Sequence, residues 1–266
     1  MNKYLSILVI SIQQEFAYKL SFLMWRLRNV MQVLVFFFLW DAAFSNNNDL
    51  FGYSKDKILT YAFFLILLRA IVFSSRSVDI SGHIGSGEIM NFLIKPISFI
   101  RYWMTRDIAS KVLNIGFSIV EISILIYFLK PNIFLQDNMF YVFMFLISLI
   151  IATFLFFNIL LMTNFIPFWV PEVTWGGQFL VIGIIVEFFS GASLPLDILP
   201  EQVLNILKIT PFPYLIFIPI KIYLGLLSQA EVFNSILIGL IWSFILWILM
   251  KKSFAKGLYI YEANGK

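Results

Sequence analysis

Residues 139–168 run from Met139 to Phe168 without one Asp, Glu, Lys, Arg or His. Spanning a hydrocarbon core takes about 20 mainly apolar residues as a helix, so this run is long enough to cross a bilayer. It is too long for a β-strand or an ordinary core helix. The rest of the chain agrees. Of its 266 residues, 61% are hydrophobic and 13% charged, whereas a soluble domain carries roughly twice that share of charge. With so few charges the surface can only be solvated by lipid.

Five further stretches read as spans: residues 20–44, 58–73, 108–129, 176–196 and 233–250. The expected fold is therefore an all-α, polytopic membrane protein with six transmembrane helices in a single domain, 1–266. The first span holds Arg26 and Arg28 near its start and Asp41 near its end. The second holds Arg69 near one end, where a long side chain can snorkel to the interface. Residues 1–19 place Tyr4, Leu5, Leu8, Ile12 and Phe16 at near-helical spacing with Gln13, Gln14 and Lys19 between them. This predicts an interfacial helix bending into the first span. No cleavable signal is recognisable in it.

Lys and Arg concentrate on one side of this layout. Lys3, Lys19, Arg26, Arg28, Arg76, Lys95, Arg101, Arg106, Lys251, Lys252, Lys256 and Lys266 fall together. Lys55, Lys57, Lys130, Lys208 and Lys221 fall opposite. The positive-inside rule then predicts that both termini are cytoplasmic, in a multi-pass protein of the cell inner or plasma membrane.

Two connections stand out. The cytoplasmic loop 74–107 holds Gly82, Gly85 and Gly87, the amphipathic run from Ile89 to Ile94, and Pro96, which predicts one or two short surface helices. The outer stretch 196–229 is apolar yet broken by Pro200, Pro211, Pro213 and Pro219, just after Pro195. Irregular backbone at membrane depth must be buried in protein or line a cavity. The stretch is expected to form re-entrant outer helices between spans five and six.

Two carboxylates sit mid-span, Glu121 in the third and Glu187 in the fifth. An intramembrane carboxylate needs a cavity or a partner. Each can line a substrate path or proton site, or each can make an interhelical hydrogen bond. Asn158 and Asn164 in the fourth span are candidate partners or packing glue.

Other chemistry is thinly represented. Cys is absent and His83 is the single histidine, so no catalytic residues and no metal site are expected. The run from Gly82 to Glu88 lacks the Gly-Lys-Ser/Thr ending of a phosphate loop. The chain should bind no nucleotide cofactor itself and should not be an enzyme. No nucleic-acid partner is expected.

Asp79-Ile80 followed by Gly87-Glu88-Ile89, Leu93 and Lys95-Pro96-Ile97-Ser98 resembles the cytoplasmic coupling loop of type-2 ABC exporter permeases, the six-span branch of ABC-2 family transporter proteins. Lys95 stands where that family usually has Arg. Two more segments are similar to the family's fifth-span exit and outer helices. They are Phe189-Ser190-Gly191 through Leu194-Pro195-Leu196 and Leu199-Pro200, and Thr210-Pro211-Phe212 with Pro219 and Gly225. Tyr18-Lys19-Leu20-Ser21-Phe22 and Trp40 fit the family's opening segment.

The resemblance implies a permease paired with a second permease, identical or related, and with two copies of a cytoplasmic ABC ATPase that carries the ATP and magnesium. It implies that Ser81, Gly82, His83, Ile84, Gly85, Ser86, Gly87, Glu88, Ile89 and Met90 form the coupling helix, and that residues 1–19 form the elbow helix. Glu121, Asn158, Glu187 and Ser190 are the candidates for a substrate path, and Pro195, Pro200, Pro211, Phe212 and Pro213 for an outer gate. The resemblance implies that substrate is expelled outward or moved laterally from membrane lipids, and the aromatic, weakly polar spans lean towards an amphipathic or lipid-like cargo. The residues alone leave an ion-coupled secondary transporter or channel, an integral-membrane lipid-modifying enzyme and a membrane scaffold open. No internal repeat of the kind common in secondary transporters is visible.

Overall fold

A computed structural model describes residues 3–17, 19–45 and 49–263. Tyr18, Lys266 and the first two residues of the expected elbow helix lie outside the described residues.

The chain is a helical bundle. Helices α1 (Lys3–Ala17) and α2 (Lys19–Ala43) lead to a two-residue hairpin pairing Asp49–Leu50 with Tyr53–Ser54. Helix α3 (Lys55–Phe73) widens to a π-helical turn over its last residues, Arg69–Phe73. A 3-10 turn (Arg76–Asp79) and the short helices α4 (Ile80–Gly85) and α5 (Met90–Leu93) form the loop before α6 (Phe99–Leu129). Helix α7 (Met139–Asn164) follows, then a 3-10 turn over Ile166–Phe168. Next come α8 (Gly176–Phe189), α9 (Glu201–Ile209), α10 (Phe217–Tyr223) and α11 (Gln229–Ala263).

The uncharged run forms the centre of the bundle. Of the apolar window in Met139–Phe168, 67% is buried inside the protein, against 17% to 28% in the other three long helices. Helices α10 and α11 pack on α7, α2 packs on α3, and α1 lies along α6. The outer faces of α2, α6 and α11 present Leu27, Val35, Phe38, Val120, Ile124, Leu240 and Phe244 outward. Such faces need lipid or another protein to cover them.

Four helices are long and apolar enough to span: Phe22–Ala43, Phe99–Leu129, Met139–Phe168 and Gln229–Tyr261. A fifth arises if Lys55–Phe73 and Arg76–Gly85, bent by 52°, count as one broken span. The span expected over residues 176–196 is shorter than its sequence suggests. Gly176–Phe189 stops at Ser190 because Gly191 turns left-handed at φ +83°, a conformation that ends helices. The Gly191 carbonyl accepts from the Tyr61 hydroxyl at 2.7 Å. Tyr61 lies six residues inside the start of α3, about 9 Å along its axis. The end of α8 therefore stops at that depth, and residues 191–228 continue from there.

Two apolar cores result. The larger joins α2, α3, α7 and α10 around Trp40, Tyr61, Phe156 and Phe217. The smaller lies at the end carrying residues 74–98, the loop end, and gathers Ile80, Ile84, Ile89, Trp103, Phe165, Phe168 and Tyr261.

Candidate functional site

At the loop end, α3 must stop without leaving its last carbonyls bare. Lys111 on α6 meets that need, donating to the Ser74 carbonyl at 2.6 Å and to that of Val72 at 3.2 Å. One turn away, Asp107 takes the next segment. It accepts from the Ser75 hydroxyl at 2.6 Å, the Arg76 amide at 2.9 Å, the Ser77 amide at 3.0 Å and the Ser77 hydroxyl at 2.9 Å. From α7, Asn164 donates to the Ser77 carbonyl at 2.7 Å. From α8, Gln178 donates to the Val78 carbonyl at 2.6 Å and to the Asn164 side chain at 2.5 Å. Three helices thus hold four consecutive residues, Ser75 to Val78. Charge-assisted bonds of this kind are stronger than neutral ones.

Helix α4 starts immediately after this clamp. Its Ile80, Ser81 and Ile84 turn inward. The Ser81 hydroxyl donates to the Thr174 carbonyl. Gly82 and Gly85 admit residues 174 and 175 of the same chain: a Cβ on Gly85 would lie 2.7 Å from the Thr174 hydroxyl, and one on Gly82 would lie 3.4 Å from Trp175. The close approach at these glycines is made by the chain's own connection between α7 and α8. Gly87, at φ +84°, separates α4 from α5, and Ile89 returns to the core. His83 meets Glu88 at 2.8 Å and stands beside the Phe92 ring. Gly85, Ser86, Glu88 and Met90 stay exposed. Of the ten residues Ser81 to Met90, Ser81, Ile84 and Ile89 anchor the segment and the others form or border its surface.

Both intramembrane carboxylates face arginines. Glu121 binds Arg26 through both carboxylate oxygens. Arg26 also donates to Asn114 at 3.2 Å and Ser118 at 3.0 Å. Those three α6 residues are spaced by four and three, one face of a helix. Glu187 binds Arg69, which also donates to the Ala192 carbonyl at 3.2 Å. Arg69 is 5% exposed, so it turns inward to a partner and does not snorkel. Arg69 opens the π-helical turn of α3, and Glu187 follows the π-helical stretch Phe179–Val186 of α8. Such wide turns concentrate at functional sites. Asn158 and Asn164 pair with neither carboxylate. Asn158 donates to its own helix at the Phe154 carbonyl, 2.7 Å, and its side-chain oxygen is buried without a partner. Ser190 is buried, its hydroxyl also unpartnered, while its carbonyl accepts from Phe217 at 2.9 Å.

At the far, distal end, Asp197 accepts from the Tyr53 hydroxyl at 2.7 Å and the Lys221 ammonium at 2.9 Å. Pro195 and Pro200 precede the 3-10 turn Leu196–Ile198 and helix α9, respectively. Pro211, Phe212 and Pro213 make the turn into the buried helix α10, whose Phe217, Ile220 and Ile222 have no exposed surface. Pro195, Pro211 and Pro213 are buried, Phe212 half-buried and Pro200 exposed.

No group of three His, Asp or Glu side chains suited to a metal ion stands together among the described residues. Sequence reasoning missed Asp107, Lys111 and Gln178. Each is one polar residue near a span end, which reads as an ordinary interfacial position.

The sequence profile of the family described as "ABC-2 family transporter protein" matches residues 30–265. No curated protein matches the chain.

Proposed function

The chain belongs to the ABC-2 family of transporter proteins, as a multi-pass membrane subunit that transports rather than catalyses, and from that premise we propose that it is the permease of an ATP-driven exporter. Permeases of this family generally work with a cytoplasmic ATPase. In the proposed assembly two copies of that ATPase supply ATP and magnesium, and a second permease, identical or related, completes the path. The complex expels or flips an amphipathic or lipid-like molecule. The loop end faces the cytoplasm with both termini, in the cell inner or plasma membrane. Six helices then reach across or into the bilayer, with α3 and α8 as the fifth and sixth. Helix α1 acts as the elbow. The stretch 196–229 is re-entrant, as the burial of α10 and the depth of Gly191 support.

One observation carries this reading: Asp107, Asn164 and Gln178, from three different helices, hold the backbone of Arg76 to Val78 directly before α4. A push on the exposed residues Gly85, Ser86, Glu88 and Met90 reaches α6, α7 and α8 together through that clamp. The segment Ser81 to Met90 is accordingly the coupling element. Glu121, Asn158, Glu187 and Ser190 border the substrate path. Pro195, Pro200, Pro211, Phe212 and Pro213 shape the outer gate. The ion-coupled alternative needs a carboxylate free to exchange its ion. The arginine partners of Glu121 and Glu187 weigh against it.

The test is purification of the tagged chain in mild detergent with its chromosomal neighbours expressed. An ABC ATPase should co-purify in near-stoichiometric amount. Gly85→Pro or Glu88→Arg should then leave membrane insertion intact while ATP hydrolysis no longer drives transport. Absence of any ATPase, or normal transport in both variants, overturns the reading.

A further inference from the structure

Helix α11 has 35 residues and is about 52 Å long at 1.5 Å per residue, while a hydrocarbon core is about 30 Å thick. Its exposed side shows where the surplus lies. Phe233, Leu237, Leu240, Phe244 and Leu249 turn outward, an apolar stripe of about 24 Å along the axis. At Lys251 the same side becomes basic. Lys251, Lys252, Ala255, Lys256 and Tyr259 are exposed, and their spacing puts them on one face of the helix. No Asp or Glu occurs between Lys251 and Tyr261. Lys252 and Lys256 have no ion-pair partner among the described residues. Lys256 stands about 10 Å past Leu249 along the axis, and Tyr259 about 15 Å. Headgroups add only about 5–8 Å on each side of the core. A membrane surface therefore meets Lys251 and Lys252 but not Lys256 and Tyr259.

The opposite face of this extension is fixed on the loop. The Phe254 ring stacks on Phe99 with centroids 4.9 Å apart. A Cβ on Gly257 would collide with the Phe168 ring, so glycine there lets α11 press on the turn that follows α7. Tyr261 is 4% exposed and reaches the left-handed turn between α4 and α5, where a Cβ on Gly87 would lie 3.6 Å from its hydroxyl. The extension and the segment Ser81 to Met90 thus form one body at one level. The basic face is the side of that body which the described residues leave open.

We propose that this outer face, from Lys251 to Tyr259, is a second docking surface for the partner ATPase, meeting a carboxylate-lined patch of that protein beside the coupling segment. The proposal rests on the permease reading above, which supplies the ATPase. Complementary charge across an interface speeds encounter and fixes register. The face therefore sets how fast and in which orientation the ATPase seats, while the coupling segment transmits its movement.

The ATPase that co-purifies with the full chain is titrated against the permease in phosphatidylcholine nanodiscs, at low and at physiological salt. Wild-type affinity should fall as salt rises. Lys256→Glu should weaken binding about tenfold at low salt and flatten its salt dependence, whereas Lys256→Arg should keep both. Lys256 is exposed and unpaired, so its variants should keep the melting temperature. Lys251 and Lys252 are left in place because they contribute to orientation. Lys130→Glu, exposed at the distal end of α6, should change nothing. Carbodiimide should couple Lys256 to an ATPase carboxylate, mapped by mass spectrometry. Unchanged affinity in Lys256→Glu, or absence of that crosslink, overturns the docking surface and leaves the permease reading standing. So does a Lys256→Glu effect seen only once phosphatidylglycerol is added to the nanodiscs, which assigns the face to lipid. A wild-type chain that binds no ATPase overturns both.

Discussion

Arg69 and Glu187, 118 positions apart, bind one another inside the bundle and tie the end of α3 to the end of α8. Removing one member of a buried ion pair strands the other charge, which costs about 3–5 kcal/mol, whereas replacing both by apolar groups is often neutral. Arg69→Met and Glu187→Leu should each lower thermal stability in detergent sharply. The double variant should recover a large part of the loss, giving a coupling energy well outside additivity. Additive losses in the melting series would show that the two side chains act separately.

The long elements were legible in the sequence because lipid sets their length and composition. Residues 139–168 and the apolar stretch 233–250 both lie within helices, the latter extending to Gln229–Ala263 because its flanks are also helical. The loop with Gly82, Gly85 and Gly87 reads correctly as short helices, since φ at Gly87 demands glycine. Pairings were not legible. Arg26 meets Glu121 across 95 positions, and no local pattern encodes a distance of that kind. Asn158 and Asn164 looked like partners for the carboxylates because all four are polar and mid-span. Guanidinium groups out-compete amides for a carboxylate, since they bring both charge and a bidentate fork. The shortening of the fifth span was hidden too. Its residues stay largely apolar past Gly191, but Ala192, Pro195 and Leu196 are buried in protein there.

Gly191 and Gly52 both adopt positive φ, +83° and +80°, yet their surroundings differ. A Cβ on Gly191 would lie 2.8 Å from Phe217 Cβ and 2.9 Å from the Tyr61 hydroxyl, while one on Gly52 meets nothing within 4 Å. Gly52→Ala should cost only backbone strain, about 1 kcal/mol. Gly191→Ala adds overpacking and should cost about 2–4 kcal/mol. Unfolding of the two variants followed side by side checks the contrast. Equal losses would mean that Gly191 is not pressed against α10.

Tyr53, Asp197 and Lys221 latch the hairpin to the segments around α10. Burial first, and the Asp197 charge second, raise the Tyr53 hydroxyl well above 10.0. The folded protein therefore keeps a proton there that the unfolded chain gives up near pH 10. Stability from this group is complete below about pH 10 and falls as pH rises towards the folded value. Tyr53→Phe should cost about 1 kcal/mol at neutral pH through the lost hydrogen bond and should flatten the alkaline decline in melting temperature. An unchanged alkaline slope would remove Tyr53 from that titration.

Asp107 is the residue through which α6 holds the loop. Its two carboxylate oxygens take four donors from Ser75, Arg76 and Ser77. An amide at that position can offer one acceptor oxygen, and its nitrogen would face donors. Asp107→Asn can keep its oxygen on the three donors of Arg76 and Ser77, but it loses the acceptor for the Ser75 hydroxyl and the charge behind every bond, and should loosen α4 from α6, while Asn164 and Gln178 still hold the segment from α7 and α8. Hydrogen bonds to a charged group contribute about 1.5–3 kcal/mol each, enough to let the loop move without the span it should drive. The variant should insert and should bind its ATPase. Its ATP hydrolysis should persist while transport per ATP falls by roughly tenfold, the effect of about 1.4 kcal/mol of lost coupling. Ser77→Ala removes one donor and leaves the carboxylate in place, so its effect should be smaller. The ratio of transport to hydrolysis in reconstituted vesicles separates the outcomes. A parallel fall of both activities would mean that Asp107 supports the fold and transmits nothing.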